Sequence, residues 1–191
     1  MKTRDKLAIF DLDGTLFDTK NVNFKAYGKA LEVCGIKTEI DYKYYCDFCN
    51  GNSYKVFLPQ IVPEISVEVM EQVHDNKKLL YRKYLNYARK NEHLFHMIKL
   101  MKVEYQVAVV TAASRTNTED ILRVFKEDNA FDFIITQEDV IYTKPDPECF
   151  LNAVSRAGVS LENTIIFEDS ETGLKAAEKA GAKFVKVYGY N

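Results

Sequence analysis

The sequence contains no apolar run long enough to cross a bilayer. Its first continuous apolar stretch, Leu7–Phe10, stops at Asp11 and follows a charged start, Met1 to Asp5. A membrane helix needs about 20 apolar residues, and a secretory leader about 7–15 behind its basic start. Neither is expected, so the protein is expected to be cytoplasmic. A strong excess of one charge is lacking too: 26 Lys and Arg stand against 28 Asp and Glu, a formal net charge of −2. That balance gives no general attraction to nucleic acid or to anionic membranes, and neither is expected as a partner. An anionic ligand must then be held by local cations, a metal or backbone donors.

Cysteine is sparse, at Cys34, Cys46, Cys49 and Cys149, and without an export signal no disulfide is expected. Cys46 and Cys49 have the CxxC spacing. A zinc site would want a second pair or histidines at suitable spacing, and none follows. A redox pair would open a helix beside a strand, whereas this one lies among aromatics in a helical stretch. Packing is the expected role of both. His93 and His96 stand i, i+3 at the start of a helix without an acid at metal-site spacing, and are expected at the surface or a hinge. Internal repeats and low-complexity segments are missing as well.

What is present is a chain of 191 residues, 47% hydrophobic and 28% charged, enough for one good core but not two large ones. Five short β-branched runs are expected as strands: Leu7–Asp11, Gln106–Thr111, Phe131–Thr136, Thr164–Glu168 and Lys183–Val187. Most are continuously apolar, as in parallel strands covered on both faces. Helices are expected over Leu94–Lys102, Asn117–Glu127, Pro147–Ala157 with Asp146 as its cap, and Glu171–Ala180. Gly158 and Gly181 close the last two. This alternation argues for an α/β fold with a doubly wound sheet, whose ligands bind at the carboxyl ends of the strands.

Residues from about Thr19 to Lys90 break the alternation, with no convincing strand. Phe24, Tyr27, Leu31 and Cys34 recur at helical spacing up to Gly35. Asn52–Val62 is a second helical candidate, ended by Pro63, and Val69, Val73, Leu80, Tyr84 and Tyr87 form a longer stripe. The expectation is a helical module, 18–90, inserted into a core made of 1–17 and 91–191, and able to move as a lid. Its aromatics, Tyr42, Tyr44, Tyr45, Phe48, Tyr54 and Phe57, are expected chiefly to fill a small core, with pocket lining as the alternative.

Chemistry concentrates at four strand ends. Asp11-Leu12-Asp13-Gly14-Thr15 follows the first strand directly. Acids at i and i+2 in an extended chain can face one cavity, and Gly14 lets the backbone turn sharply beside a ligand. Two such carboxylates need a cation or a shared proton, and magnesium suits an all-oxygen site shared with phosphate. Thr111 ends the second strand with a hydroxyl near backbone N–H groups such as that of Ala112. Lys144 precedes Pro145, which restricts it to extended conformations that can aim the lysine inward. Glu168 and Asp169 end the fourth strand, and a buried strand has little reason to end in two acids unless something positive meets them.

With DLDGT, VVTAAS, KPDPECF and FEDSETG in this order, the chain resembles the haloacid dehalogenase superfamily of hydrolases. The likeness is to the branch of β-phosphoglucomutase-like and phosphoglycolate-phosphatase-like enzymes, and it extends over nearly the whole chain. It implies a Rossmann-like doubly wound parallel sheet, strand order 3-2-1-4-5, with an inserted helical cap. It implies a Mg²⁺-dependent phosphatase acting on a small phosphorylated metabolite, with Asp11 as nucleophile and metal ligand. Asp13 would be the acid–base and would face the metal through its carbonyl. Thr111 and Lys144 would hold the phosphoryl group, and Asp169 with Glu168 would complete the metal shell. Gly14, Ala112 and the cap residues Asn52, Ser53 and Lys55 are candidate substrate contacts. Mutase relatives carry an Arg where Tyr54 stands and a His where Asn23 stands, so hydrolysis is expected, with a phosphosugar mutase or a non-catalytic module as alternatives. A monomer or weak homo-oligomer is expected.

Overall fold

The computed structural model describes residues 4–188, and they divide into two compact units. One comprises the chain up to Asp18 together with Arg89 onward; the other is Thr19–Ala88. The first unit is built on five parallel strands: β1 (Lys6–Phe10), β4 (Tyr105–Val110), β5 (Phe133–Ile135), β6 (Thr164–Glu168) and β7 (Lys183–Lys186). Their spatial order is β5-β4-β1-β6-β7, with β1 at the centre. Counting these five alone, this is the order 3-2-1-4-5. Leu7 to Phe10 are fully buried, as a central strand covered on both faces requires. Phe10 and Phe167 are register partners on β1 and β6, and their rings stack at 4.5 Å immediately before Asp11 and Glu168.

The helices of this unit are α5 (Glu92–Met101), α6 (Arg115–Val124), α7 (Glu148–Ala157) and α8 (Glu171–Ala180). The starts of α5, α6 and α8 follow capping side chains that satisfy otherwise orphaned N–H groups, whereas α7 opens behind Pro147. Asn91 caps α5 and Ser114 caps α6, so both helices begin two residues earlier than the apolar periodicity indicates. The Asp146 carboxylate accepts from the Glu148 N–H. Strand β5 is shorter than expected at both ends. Asp132 turns its carboxylate to the Val107 N–H and to Arg4, and Thr136 pairs with Asp139 to open a 3-10 turn.

A further correction concerns the segment expected to be free of strands. Phe17–Asp18 (β2) and Arg89–Lys90 (β3) form a two-residue antiparallel pair, fastened by an Arg89–Asp18 ion pair of 2.7 Å. The second unit lies between them in sequence and is helical. Its elements are α1 (Lys20–Val33), α2 (Tyr42–Tyr44), α3 (Tyr54–Ile61) and α4 (Val67–Tyr81), the last continuing as a 3-10 turn over Arg82–Tyr87. Its core gathers Tyr27, Leu31, Tyr45, Cys49, Phe57, Leu58 and Val73. The aromatics expected to fill that core divide: Tyr45 and Phe57 are buried, whereas Tyr42, Tyr44 and Phe48 are exposed. Helix α2 buries none of its residues, and the wide π-helical turn over Tyr45–Cys49 that follows it buries only Tyr45 and Cys49. All four cysteines are free thiols, and His93 and His96 are exposed. Among the described residues no helix is long and apolar enough to cross a membrane.

Candidate active site

Parallel strands that end together bring their next residues together, and three neighbours do so here. Asp11 leaves β1, Thr111 leaves β4, and Glu168 and Asp169 stand at the end of β6. Main-chain bonds lock the alignment: the Asp11 N–H donates to the Phe167 carbonyl at 3.0 Å, and the Thr111 N–H to the Ile135 carbonyl at 3.0 Å. Carboxylate oxygens of Asp11, Glu168 and Asp169 lie within 4.8 Å of one another.

Lys144 enters this acidic group from the connection that precedes α7. Its ammonium donates to Asp11 Oδ1 at 2.6 Å, to Glu168 Oε2 at 2.7 Å and to the Val110 carbonyl at 3.2 Å. Burial by itself would lower the lysine's pKa, but Asp11 and Glu168 outweigh it and hold the pKa above its ordinary value. Asp11 is pushed the other way from most paired acids. Burial raises its pKa well above the usual carboxylate range, Glu168 and Asp169 add to that, and Lys144 opposes them. Burial likewise raises Asp169 to about 6, with Glu168 adding and the 2.8 Å hydrogen bond from the Thr15 hydroxyl opposing.

The charge count is informative. Three gathered carboxylates meet one ammonium, which leaves about two negative charges uncompensated in a mostly buried place. A divalent ion with oxygen preference supplies that amount of charge, and the donor set is all oxygen. The residues therefore fit Mg²⁺. Glu168 belongs to that group of three and carries further bonds. Its Oε1 accepts from the Asp169 and Ser170 N–H groups and the Ser170 hydroxyl, and its Oε2 accepts from Lys144. Both oxygens are thereby engaged in ordering the strand end and the lysine. Asp13 contributes no carboxylate to the group of three. It lies in the turn where the Gly14 N–H bonds to the Phe17 carbonyl at 2.7 Å.

Two glycines are required by this crowding. Gly14 has φ +93°, and a Cβ there would lie 2.1 Å from Asp169 Oδ2. At Gly173 a Cβ would lie 2.0 Å from Glu168 Oε2. Gly173, Thr15 and Ser170 were not apparent as site residues in the sequence. Only Ser170 carried a usable signal, a capping serine three residues before Gly173, whose N–H it accepts.

Thr111 is buried and its hydroxyl accepts from the Ala113 N–H. With Ala112, Gln137, Val140, Thr143, Lys144 and Cys149 it lines a small recess. The remaining candidates, Asn52, Ser53 and Lys55, belong to the helical unit and bond within it. Asn52 donates to the Phe48 carbonyl, Ser53 caps α3, and Lys55 pairs with Glu71 at 3.0 Å.

A sequence profile of haloacid dehalogenase-like hydrolases matches residues 8–187. The phosphorylated carbohydrates phosphatase of Thermotoga maritima is 27% identical over 183 residues, covering 95% of this chain and 83% of that relative. The pyrophosphatase PpaX of Halalkalibacterium halodurans is 27% identical over 192 residues, covering 95% and 82%. The crystal structure of CbbY from Rhodobacter sphaeroides in complex with phosphate has a TM-score of 0.86 at 22% identity, over 97% of this chain and 87% of that one, a likeness of fold.

Proposed function

The chain belongs to the haloacid dehalogenase-like hydrolase family, and from that premise we propose that it is a Mg²⁺-dependent phosphatase of a small phosphorylated metabolite, working through a phospho-aspartate on Asp11. The observation that carries this reading is the gathering of Asp11, Glu168 and Asp169 at the carboxyl ends of neighbouring strands, with the Lys144 ammonium paired to the first two.

In this mechanism a carboxylate oxygen of Asp11 attacks phosphorus and the bond to the leaving oxygen breaks. Asp13 gives that oxygen a proton. Asp13 then takes a proton from a water that attacks the acyl phosphate, releasing inorganic phosphate and restoring Asp11. Dividing one displacement into two is the advantage of the covalent route, and acid–base help of this kind typically contributes about 10²–10⁴-fold. Lys144 and the Thr111 hydroxyl with neighbouring N–H groups hold the phosphoryl oxygens, whose charge spreads as the transition state forms. Asp11, the Asp13 carbonyl and Asp169 would hold Mg²⁺, which when bound supplies positive charge against those same oxygens. Glu168 serves by fixing Lys144. The helical unit acts as the cap, with Asn52, Ser53 and Lys55 as its candidate contacts to substrate.

A sugar phosphate is the favoured substrate, in line with the activity named for the Thermotoga relative. Hydrolysis is favoured over phosphate rebinding because Tyr54, not an arginine, follows Gly51-Asn52-Ser53, and the adjacent Lys55 is already paired with Glu71. The test is phosphate release from a panel of sugar phosphates, phosphoglycolate, pyrophosphate and nucleotides, with and without Mg²⁺. Mg²⁺-dependent release from at least one sugar phosphate is expected. No release from any member, or release that needs no divalent ion, would overturn the reading.

A further inference from the structure

Lys144 must reach Asp11 and Glu168 from a connection that has little reason to hold still. Val140 packs against the sheet core, but Ile141, Tyr142 and Thr143 are all exposed, with Ile141 at 82% and Tyr142 at 64% of their full accessibility. Apolar burial therefore does not anchor the stretch just before the lysine. Hydrogen bonds to one side chain do. The Ile141 N–H donates to Glu148 Oε1 at 2.9 Å and the Tyr142 N–H donates to Glu148 Oε2 at 2.8 Å. Both oxygens of one carboxylate are thus aimed back from the first turn of α7 onto consecutive amides. Two parallel bonds to a planar acceptor fix orientation as well as position.

The turn that follows completes the frame. The Asp146 N–H bonds to the Thr143 carbonyl at 3.0 Å, and the Asp146 carboxylate accepts the Glu148 N–H at 3.0 Å. An acid in a helix's first turn is favoured by the helix dipole alone, which would explain a glutamate here but not the engagement of both its oxygens with the lysine loop.

We infer that Glu148 is a positioning residue for the proposed phosphatase reaction: it clamps the Ile141–Tyr142 backbone and so holds Lys144 against Asp11 and the phosphoryl group. The inference rests on the phosphatase reading. The Glu148 carboxylate bonds to the Ile141 and Tyr142 amides rather than to the reacting groups, so it acts through Lys144.

The test uses the full chain with p-nitrophenyl phosphate and Mg²⁺, comparing Glu148→Ala and Glu148→Gln with wild type. Misplacement of a reacting group by about 1 Å costs rate on the order of 10²-fold, so E148A is expected to lose about 10–100-fold in kcat with KM changed less than about threefold. E148Q keeps one carbonyl acceptor and should fall between. In parallel, amine-labelling of Lys144, scored by mass spectrometry against exposed Lys183, should rise severalfold in E148A as the loop opens. Full kcat in E148A, or lost rate with Lys144 still protected, would overturn the inference. A wild-type protein that releases no phosphate would defeat the phosphatase reading instead, and the labelling would then decide the clamp independently.

Discussion

Lys144 sits where the fold concentrates negative charge, and its three contacts explain why neighbouring residues are what they are. Glu168 holds the lysine together with Asp11, and Gly173 leaves room for Glu168. The glycine occupies α8, where alanine is intrinsically favoured by about 1 kcal/mol. Propensity and packing therefore give opposite signs for Gly173→Ala. With a Cβ due 2.0 Å from Glu168 Oε2, overpacking dominates, and a loss of about 1–3 kcal/mol is expected, together with reduced turnover because Lys144 shifts with Glu168. Urea denaturation and steady-state rates check both; a more stable and fully active G173A would contradict the packing argument. That Asp11, Thr111, Glu168 and Asp169 stand at neighbouring strand ends was legible because polar side chains there are out of place in a buried core, whereas Lys144, in a loop, was indicated only by Pro145 and the family resemblance. Gly173 was not legible, because its reason is a side chain that reaches it only in the folded state.

At the level of elements, the sheet was readable and the insert less so. Leu7–Phe10 and Val107–Val110 are continuously apolar and fully buried, a pattern with one good interpretation. In the helical unit the aromatic residues recur without showing which face each takes, and the π-helical turn over Tyr45–Cys49 shifts that phase. His74 on α4 likewise gave no signal. Its ring stacks on Tyr54 at 3.8 Å and Nδ1 meets the Tyr27 hydroxyl at 3.3 Å. Burial, with Lys78 and Lys77 nearby, lowers its pKa to about 4. A histidine whose folded pKa lies below its unfolded value of about 6.5 is protonated more readily when unfolded. The stability it contributes is then complete above that value and is lost as pH falls toward 4. Protection of amides in residues 19–88, measured against intrinsic exchange, should fall between pH 6.5 and 4. His74→Phe, which keeps the stack, should flatten that slope after correction for intrinsic exchange; an unchanged slope would remove His74 as the cause.

For the whole molecule, the acidic group ties stability to pH, and the proposed Mg²⁺ site would tie it to a cation as well. Asp169 has a folded pKa of about 6, above the unfolded value of about 3.9, so the metal-free native state holds a proton that the unfolded chain releases. Stability from this source is present at pH 4 and lost as pH rises to about 6. Mg²⁺ should reverse that loss, because an ion that binds only the native state stabilises by about 2.7 kcal/mol at a hundred times its Kd. Thermal melts should show Mg²⁺ raising Tm at pH 7.5 and much less at pH 4.5, where protons compete. Equal effects at both pH values would argue against carboxylate ligation. The central claim concerns Asp11, and rapid acid quenching of enzyme turning over a sugar phosphate with Mg²⁺ tests it most directly. Peptide mapping should find one phosphoryl group on Asp11, absent from a folded and inactive Asp11→Asn. A phosphoryl group on another residue, or undiminished turnover by D11N, would contradict it.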